Sequence, residues 1–171
     1  MGTLNAIYVR ATEPAKVTAL RDVHPTAYTE PGTEFYAIEA DSFVPLEADL
    51  ASLSARLDTD VLWLGFQSVV DAFQFHHWRS GQHVRALVFG CFDQERTWER
   101  VEGRTEEWER AAFFDEKHLE HALKFVSGQQ AEELQRIWRD AEIIRGRTEP
   151  SLDARESARK VAEFYGLPGW S

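Results

Sequence analysis

One cysteine, Cys91, stands in a chain of 171 residues. An internal disulfide is therefore excluded, and the thiol content gives no sign of an oxidising compartment. Long apolar runs are missing as well, and none approaches the roughly 20 residues of a membrane-spanning helix. Met1-Gly2-Thr3-Leu4-Asn5 has no basic stretch leading into an apolar one, so no signal peptide is expected. The expected location is the cytoplasm, without a membrane partner. Positive charge is scarce: 19 Lys and Arg face 29 Asp and Glu, a formal net charge of −10. A phosphate backbone repels such a molecule, so nucleic acid is not an expected partner.

Motifs of catalysis and cofactor binding are also lacking. Gly65, Gly81, Gly90 and Gly103 are scattered, and no glycine-rich loop opens a helix to cradle a phosphate. There is no Gly-x-Ser-x-Gly elbow. No cofactor and no metal are expected. His118 and His121 lie three apart on a predicted helix, but a zinc site needs at least a third protein ligand and the sequence nominates none. Cys91 sits in the apolar run Leu87 to Phe92, which suits a buried, unreactive thiol.

What the chain does have is apolar bulk. Six Trp, eleven Phe and four Tyr, within an apolar share of 43%, supply a core at a length where about 70% of the unfolded surface can be buried. Charge is uneven. Residues 1–67 carry ten acids against four bases, whereas 68–171 are nearly balanced and Arg-rich, with fifteen Arg to four Lys overall. Arginine suits planar, bidentate pairing with carboxylates or phosphates.

Period and turn chemistry order the elements. Leu4 to Arg10 favours a strand. Thr12 is a helix cap with Pro14 in the first turn. Glu34 to Ala40 alternates as a strand does, and Leu46, Leu50, Leu53 and Leu57 recur at helical spacing. The apolar run Val61 to Phe66 reads as a central strand covered on both faces. Val69–Arg79 and Gln82–Phe92 are strand candidates joined by the hairpin signal Ser80-Gly81, and Arg96–Val101 follows a turn at Asp93-Gln94. Helices are expected over Glu116–Val126, from a cap at Ser127 to near Gly146, and from Ser151 to Gly166. The fold class is α+β: a mainly antiparallel central sheet with helices packed on it, in one domain over 1–171. Residues 1–114 are sheet-rich and 115–171 helical.

Hairpin arithmetic yields one constellation. A loop centred on Ser80-Gly81 sets Trp78 opposite His83 and His76 opposite Arg85, and a loop at Asp93-Gln94 sets Cys91 opposite Arg96 and Phe89 opposite Trp98. Opposed residues share a face. Gln74, His76, Trp78, His83, Arg85, Arg96, Trp98 and Arg100 would then line one face, with Phe73, Phe75, Val84, Ala86 and Val88 on the core side and His77 at its rim. Arginine forks and imidazoles beside aromatic walls suit a small anionic ligand. The ligand-binding candidates are thus His76, Trp78, His83, Arg85, Arg96 and Arg100. The competing expectation is that Glu132, Glu133, Asp140 or Glu142 of the C-terminal helices lie across this face and pair with the arginines. The favoured function is a non-catalytic binding or interaction module. An enzyme using His76 or His83 as acid or base is one alternative, and association of the acidic N-terminal third with a protein partner is another.

Overall fold

The computed structural model describes residues 2–92, 96–149 and 152–170. In chain order the elements are β1 (Thr3–Arg10), α1 (Pro14–Val23), β2 (Phe35–Glu39), α2 (Glu47–Leu57), β3 (Asp60–Gln67), β4 (Ala72–Arg79), β5 (Gln82–Phe89), β6 (Trp98–Gly103), α3 (Glu107–Phe113), α4 (Glu116–Leu123), α5 (Gln129–Asp140) and α6 (Ala154–Tyr165). The strands form one antiparallel sheet in the order β2-β1-β3-β4-β5-β6, so the class is α+β. No helix among the described residues is long and apolar enough to cross a membrane.

Helices cover both faces of the sheet. On one face Val9, Val61, Trp63 and Trp78 meet Leu20 of α1 and Leu50, Leu53 and Leu57 of α2. On the other, Tyr8, Leu62, Leu64, Phe73, Phe75, Leu87 and Phe89 meet Trp108, Ile137, Trp138 and the small side chains Ala154, Ala158 and Ala162 of α6. β3 lies inside the sheet, and its Leu62 and Leu64 are fully buried on one face while Trp63 is buried on the other. That explains why its sequence shows no polar alternation.

Several boundaries differ from the sequence reading, each for a local reason. Residues 68–71 form a turn, so β4 begins at Ala72 rather than Val69. β5 stops at Phe89, because Gly90 takes a positive φ of 61°. The N-cap position of α1 is Glu13, not Thr12, with no side-chain cap bond. α5 starts after Gly128 rather than at Ser127, and it ends at Asp140, where Ala141 turns left-handed. Ser151 lies outside the described residues; Asp153 caps α6 by accepting from the Glu156 N–H. The short helix α3 was not foreseen. It starts from a capping box in which Glu106 and Glu109 bond each other's backbone N–H.

Each lateral edge of the sheet is bridged at one point by irregular chain. Tyr28 exchanges two backbone hydrogen bonds with Ala37 of β2, at 3.1 and 2.8 Å. Beside β6, Trp98 donates to the Arg147 carbonyl at 3.1 Å and accepts from Gly146 N–H at 2.7 Å, and Thr97 bridges Thr148.

Candidate functional site

The β4–β5 hairpin turns where expected. Ser80 and Gly81 both have positive φ, 48° and 83°, as a two-residue hairpin turn with the sheet's own twist requires. Trp78 pairs with His83 as the loop demands, but the next pair is His77 with Arg85, not His76 with Arg85. Val84 is an extra residue, a β-bulge, and one unmatched residue sends every later side chain of β5 to the other face. Arg85 therefore leaves the His76 face. Its guanidinium makes a bidentate pair with Glu109 of α3, 2.8 and 2.7 Å, with both side chains buried. Burial pushes the Glu109 carboxyl up, against the pull of the Arg85 fork. The partner is on α3, not the later helices: Glu133, Asp140 and Glu142 pair instead with the exposed Arg136.

A second bulge lies between β5 and β6. Phe89 pairs with Trp98 and Val88 with Arg100, leaving Glu99 over. Trp98 thus points into the α3/α6 core beside Phe89 and Phe113. Ala86 and Val88, expected on the core side with Phe73 and Phe75, fall on the His76 face instead. Arg96 stands apart, bound to Asp71 at 2.6 Å and to the Leu152 carbonyl at 3.0 Å. Of the six candidates, the structure gathers His76, Trp78, His83 and Arg100, and separates Arg85 and Arg96 from them.

The four meet at a corner of the α1/α2-covered face, where the side chain of Glu47 at the start of α2 reaches residues of β4, β5 and β6. Trp78, His76 and His83 lie with their rings nearly parallel, the centroids 5.0 to 5.9 Å apart. Glu47, the first residue of α2, meets Arg100 at 2.5 Å through Oε1 and 3.3 Å through Oε2. Arg100 also donates to Glu102 at 2.8 Å. These hydrogen bonds pull both carboxyls below their ordinary range. Burial pushes His76 down to about 3, and burial with the Arg100 charge lowers His83, so both imidazoles are neutral near pH 7.

His76 is 1% exposed, and its tautomer follows from its neighbour. Gln74 Nε2 donates to the Phe43 carbonyl at 2.9 Å, which turns the amide oxygen toward His76 Nε2 at 3.4 Å. Nε2 then carries the proton and Nδ1 the lone pair, and Nδ1 has no hydrogen-bond partner. Beside the corner, α2 and the loop over residues 40–46 leave an open cleft above Trp63, whose buried indole N–H is also unpartnered.

Glu47 and Glu102 were missed by the sequence reading. Glu102 was within reach, since it lies two residues after Arg100 and so shares its face. Glu47 required knowing where α2 crosses the sheet.

The opposite face holds a different polar cluster. His77 is wedged between Asp60 at 2.8 Å and Glu106 at 2.5 Å. Burial opposes its charge, but the two carboxylates outweigh burial and raise its pKa. Arg79 and Arg10 also reach Asp60, at 2.7 and 3.1 Å, and Trp108 Nε1 and the Tyr165 hydroxyl donate to Glu106. With both ring nitrogens of His77 occupied and the ring buried, this network ties α3 and α6 to the sheet. The Cys91 thiol donates to the Phe89 carbonyl at 3.1 Å, and burial pushes it up to about 12. On α4, His118 binds Asp115 and His121 packs against Phe125; no third ligand joins them among the described residues. No protein-family model matches the chain, and neither a curated protein nor a solved structure does.

Proposed function

We propose that the protein is a non-catalytic binding module that holds a small ligand at the corner formed by His76, His83, Arg100 and Glu47. One observation carries this reading: these polar side chains converge beside the apolar core under α1 and α2, and one of them, His76, is buried with an unpartnered ring nitrogen. Buried polar atoms without partners are uncommon, because each costs about 1–3 kcal/mol. The charge balance tilts the ligand away from the anion that an arginine-lined face would take. Arg85 and Arg96 are bound elsewhere, and Arg100 is matched by both Glu47 and Glu102. A cytoplasmic setting belongs to the same proposal and rests on the composition and the lone thiol.

A thermal-shift screen tests the reading, with phosphates, carboxylates, nucleotides and divalent cations as arms. A ligand at a hundred times its Kd should stabilise the fold by about 2.7 kcal/mol. That gain should shrink in His83→Ala and in Arg100→Ala. If no arm stabilises the protein, or if both variants respond as the wild type does, the corner is not a binding site.

A further inference from the structure

The geometry points to a site for a divalent transition-metal ion formed by Glu47, His76 and His83. The inference rests on the binding reading above and names the ligand class. One ligand atom from each of the three residues lies within 4.8 Å of the other two, and no other such group of His, Cys, Asp and Glu occurs among the described residues. Ligand atoms around a zinc-sized ion stand about 3.4 Å apart, given metal–ligand bonds of about 2.0–2.1 Å and tetrahedral angles. Closing from the apo spacing to that value asks for a movement of about an ångström. His83 is exposed and Glu47 half-exposed, so the movement falls to these two, Glu47 taking its Arg100 partner with it, while His76 is fixed in the core.

The surroundings of each ligand suit the task. A metal-ligating histidine ordinarily donates its second ring N–H to a fixed acceptor, which sets tautomer and ring angle. Gln74 does this for His76, itself anchored on the Phe43 carbonyl. The unpartnered Nδ1 is then a lone pair held in a buried position. Arg100 plays the same role for Glu47. It grips Oε1 at 2.5 Å and touches Oε2 at only 3.3 Å, so Oε2 retains coordinating capacity. Glu102 keeps Arg100 neutralised. Two imidazoles and one carboxylate select zinc, cobalt or iron over magnesium and calcium, which prefer oxygen alone. Three protein ligands, one at the surface, leave a coordination position open to solvent.

The test uses tag-free, chelator-treated full-length protein titrated with Zn²⁺ and Co²⁺, with Mg²⁺ as the contrast. Saturation at one ion per chain is expected, with the visible absorption of tetrahedral cobalt and no response to Mg²⁺. His83→Ala and Glu47→Gln carry the argument, because His76 is embedded in the core and its replacement endangers the fold. Each should weaken Zn²⁺ binding at least about tenfold, while His118→Ala with His121→Ala leaves it unchanged. Absence of saturable one-to-one binding overturns the proposal. So does wild-type affinity in both corner variants, or a loss that follows His118 and His121 instead. If the metals fail but a phosphate or carboxylate stabilises the protein in a His83- and Arg100-dependent way, the metal assignment falls and the binding reading stands. If every arm fails, both fall.

Discussion

Arg85 and Glu109 are a guanidinium and a carboxylate sealed inside the α3-covered face, and the energetics of such pairs are asymmetric. Bringing two charges together out of water gains little overall, but removing one partner strands the other and costs about 3–5 kcal/mol. Arg85→Ala should therefore lower the unfolding free energy of the ligand-free protein by that margin, read as a lower urea midpoint. Arg85→Met combined with Glu109→Gln should recover most of the loss, because the amide still accepts from the Glu106 N–H that Glu109 now serves. A single variant that unfolds at the wild-type urea concentration would mean that solvent reaches the pair. His76 presents the opposite case, a neutral side chain on the other face. Its cost lies in one unpaired lone pair, which a bound ligand would relieve.

At the scale of elements, the site depends on the bulge at Val84, and the bulge depends on Gly103. Gly103 has a φ of 82°, and a Cβ there would stand 2.0 Å from the Val84 carbonyl oxygen. That oxygen accepts from the Arg104 N–H at 3.2 Å. Gly103→Ala should cost at least about 1–3 kcal/mol from overpacking and an unfavourable φ, read as a drop in melting temperature. It should also disturb the Arg85–Glu109 pair, visible as a shift in Trp108 emission. A melting temperature equal to wild type would show that the bulge is not enforced there. This is also where sequence reading stopped. Strand existence, the Ser80-Gly81 turn and the amphipathic helices were legible, because each follows from local periodicity or turn chemistry. The face on which Arg85 sits was not. It depends on one unmatched residue, whose sole trace in the sequence is a glycine nineteen positions later, at the far side of a neighbouring strand. Arg100 kept its place beside His76 only because a second bulge, at Glu99, followed the first. Glu47 and Glu109 came from helices, whose crossing points no strand pattern encodes.

Across the whole molecule, charge sets the response to pH and to polyanions. Burial opposes the Asp60 and Glu106 carboxylates, but His77 with Arg79, and His77 with Tyr165 and Trp108, outweigh it; Asp60 is held at about 2 and Glu106 below its usual range. Groups whose folded pKa is depressed stabilise the fold above their unfolded value, near 4 for these side chains, and lose that contribution as pH falls through the folded value. His77 is shifted upward, so its contribution is complete below about 6.5 and fades as pH rises through its folded value. Glu106→Gln should consequently be most costly between about pH 4.3 and 6.5, and the gap to wild type should narrow toward acid. A gap independent of pH would show that Glu106 is not ionised in the fold. The net charge of −10 also predicts no useful affinity for duplex DNA at physiological salt. A polarisation titration showing tight binding that weakens with salt would overturn that.

The two straps on the rims of the sheet have a consequence for solubility under stress. A bare outer strand is a template on which a second copy can extend the ladder, the first step toward swapped dimers and fibrils. Here the hydrogen-bonding groups of Ala37 are spent on Tyr28, and those of Trp98 on Gly146 and Arg147, two stretches of irregular backbone that cannot propagate a pleat. A second copy that extends the ladder past Ala37 or Trp98 must first peel one of these straps away, so loosening the strap over residues 146–148 should hasten fibril formation before it measurably alters the fold.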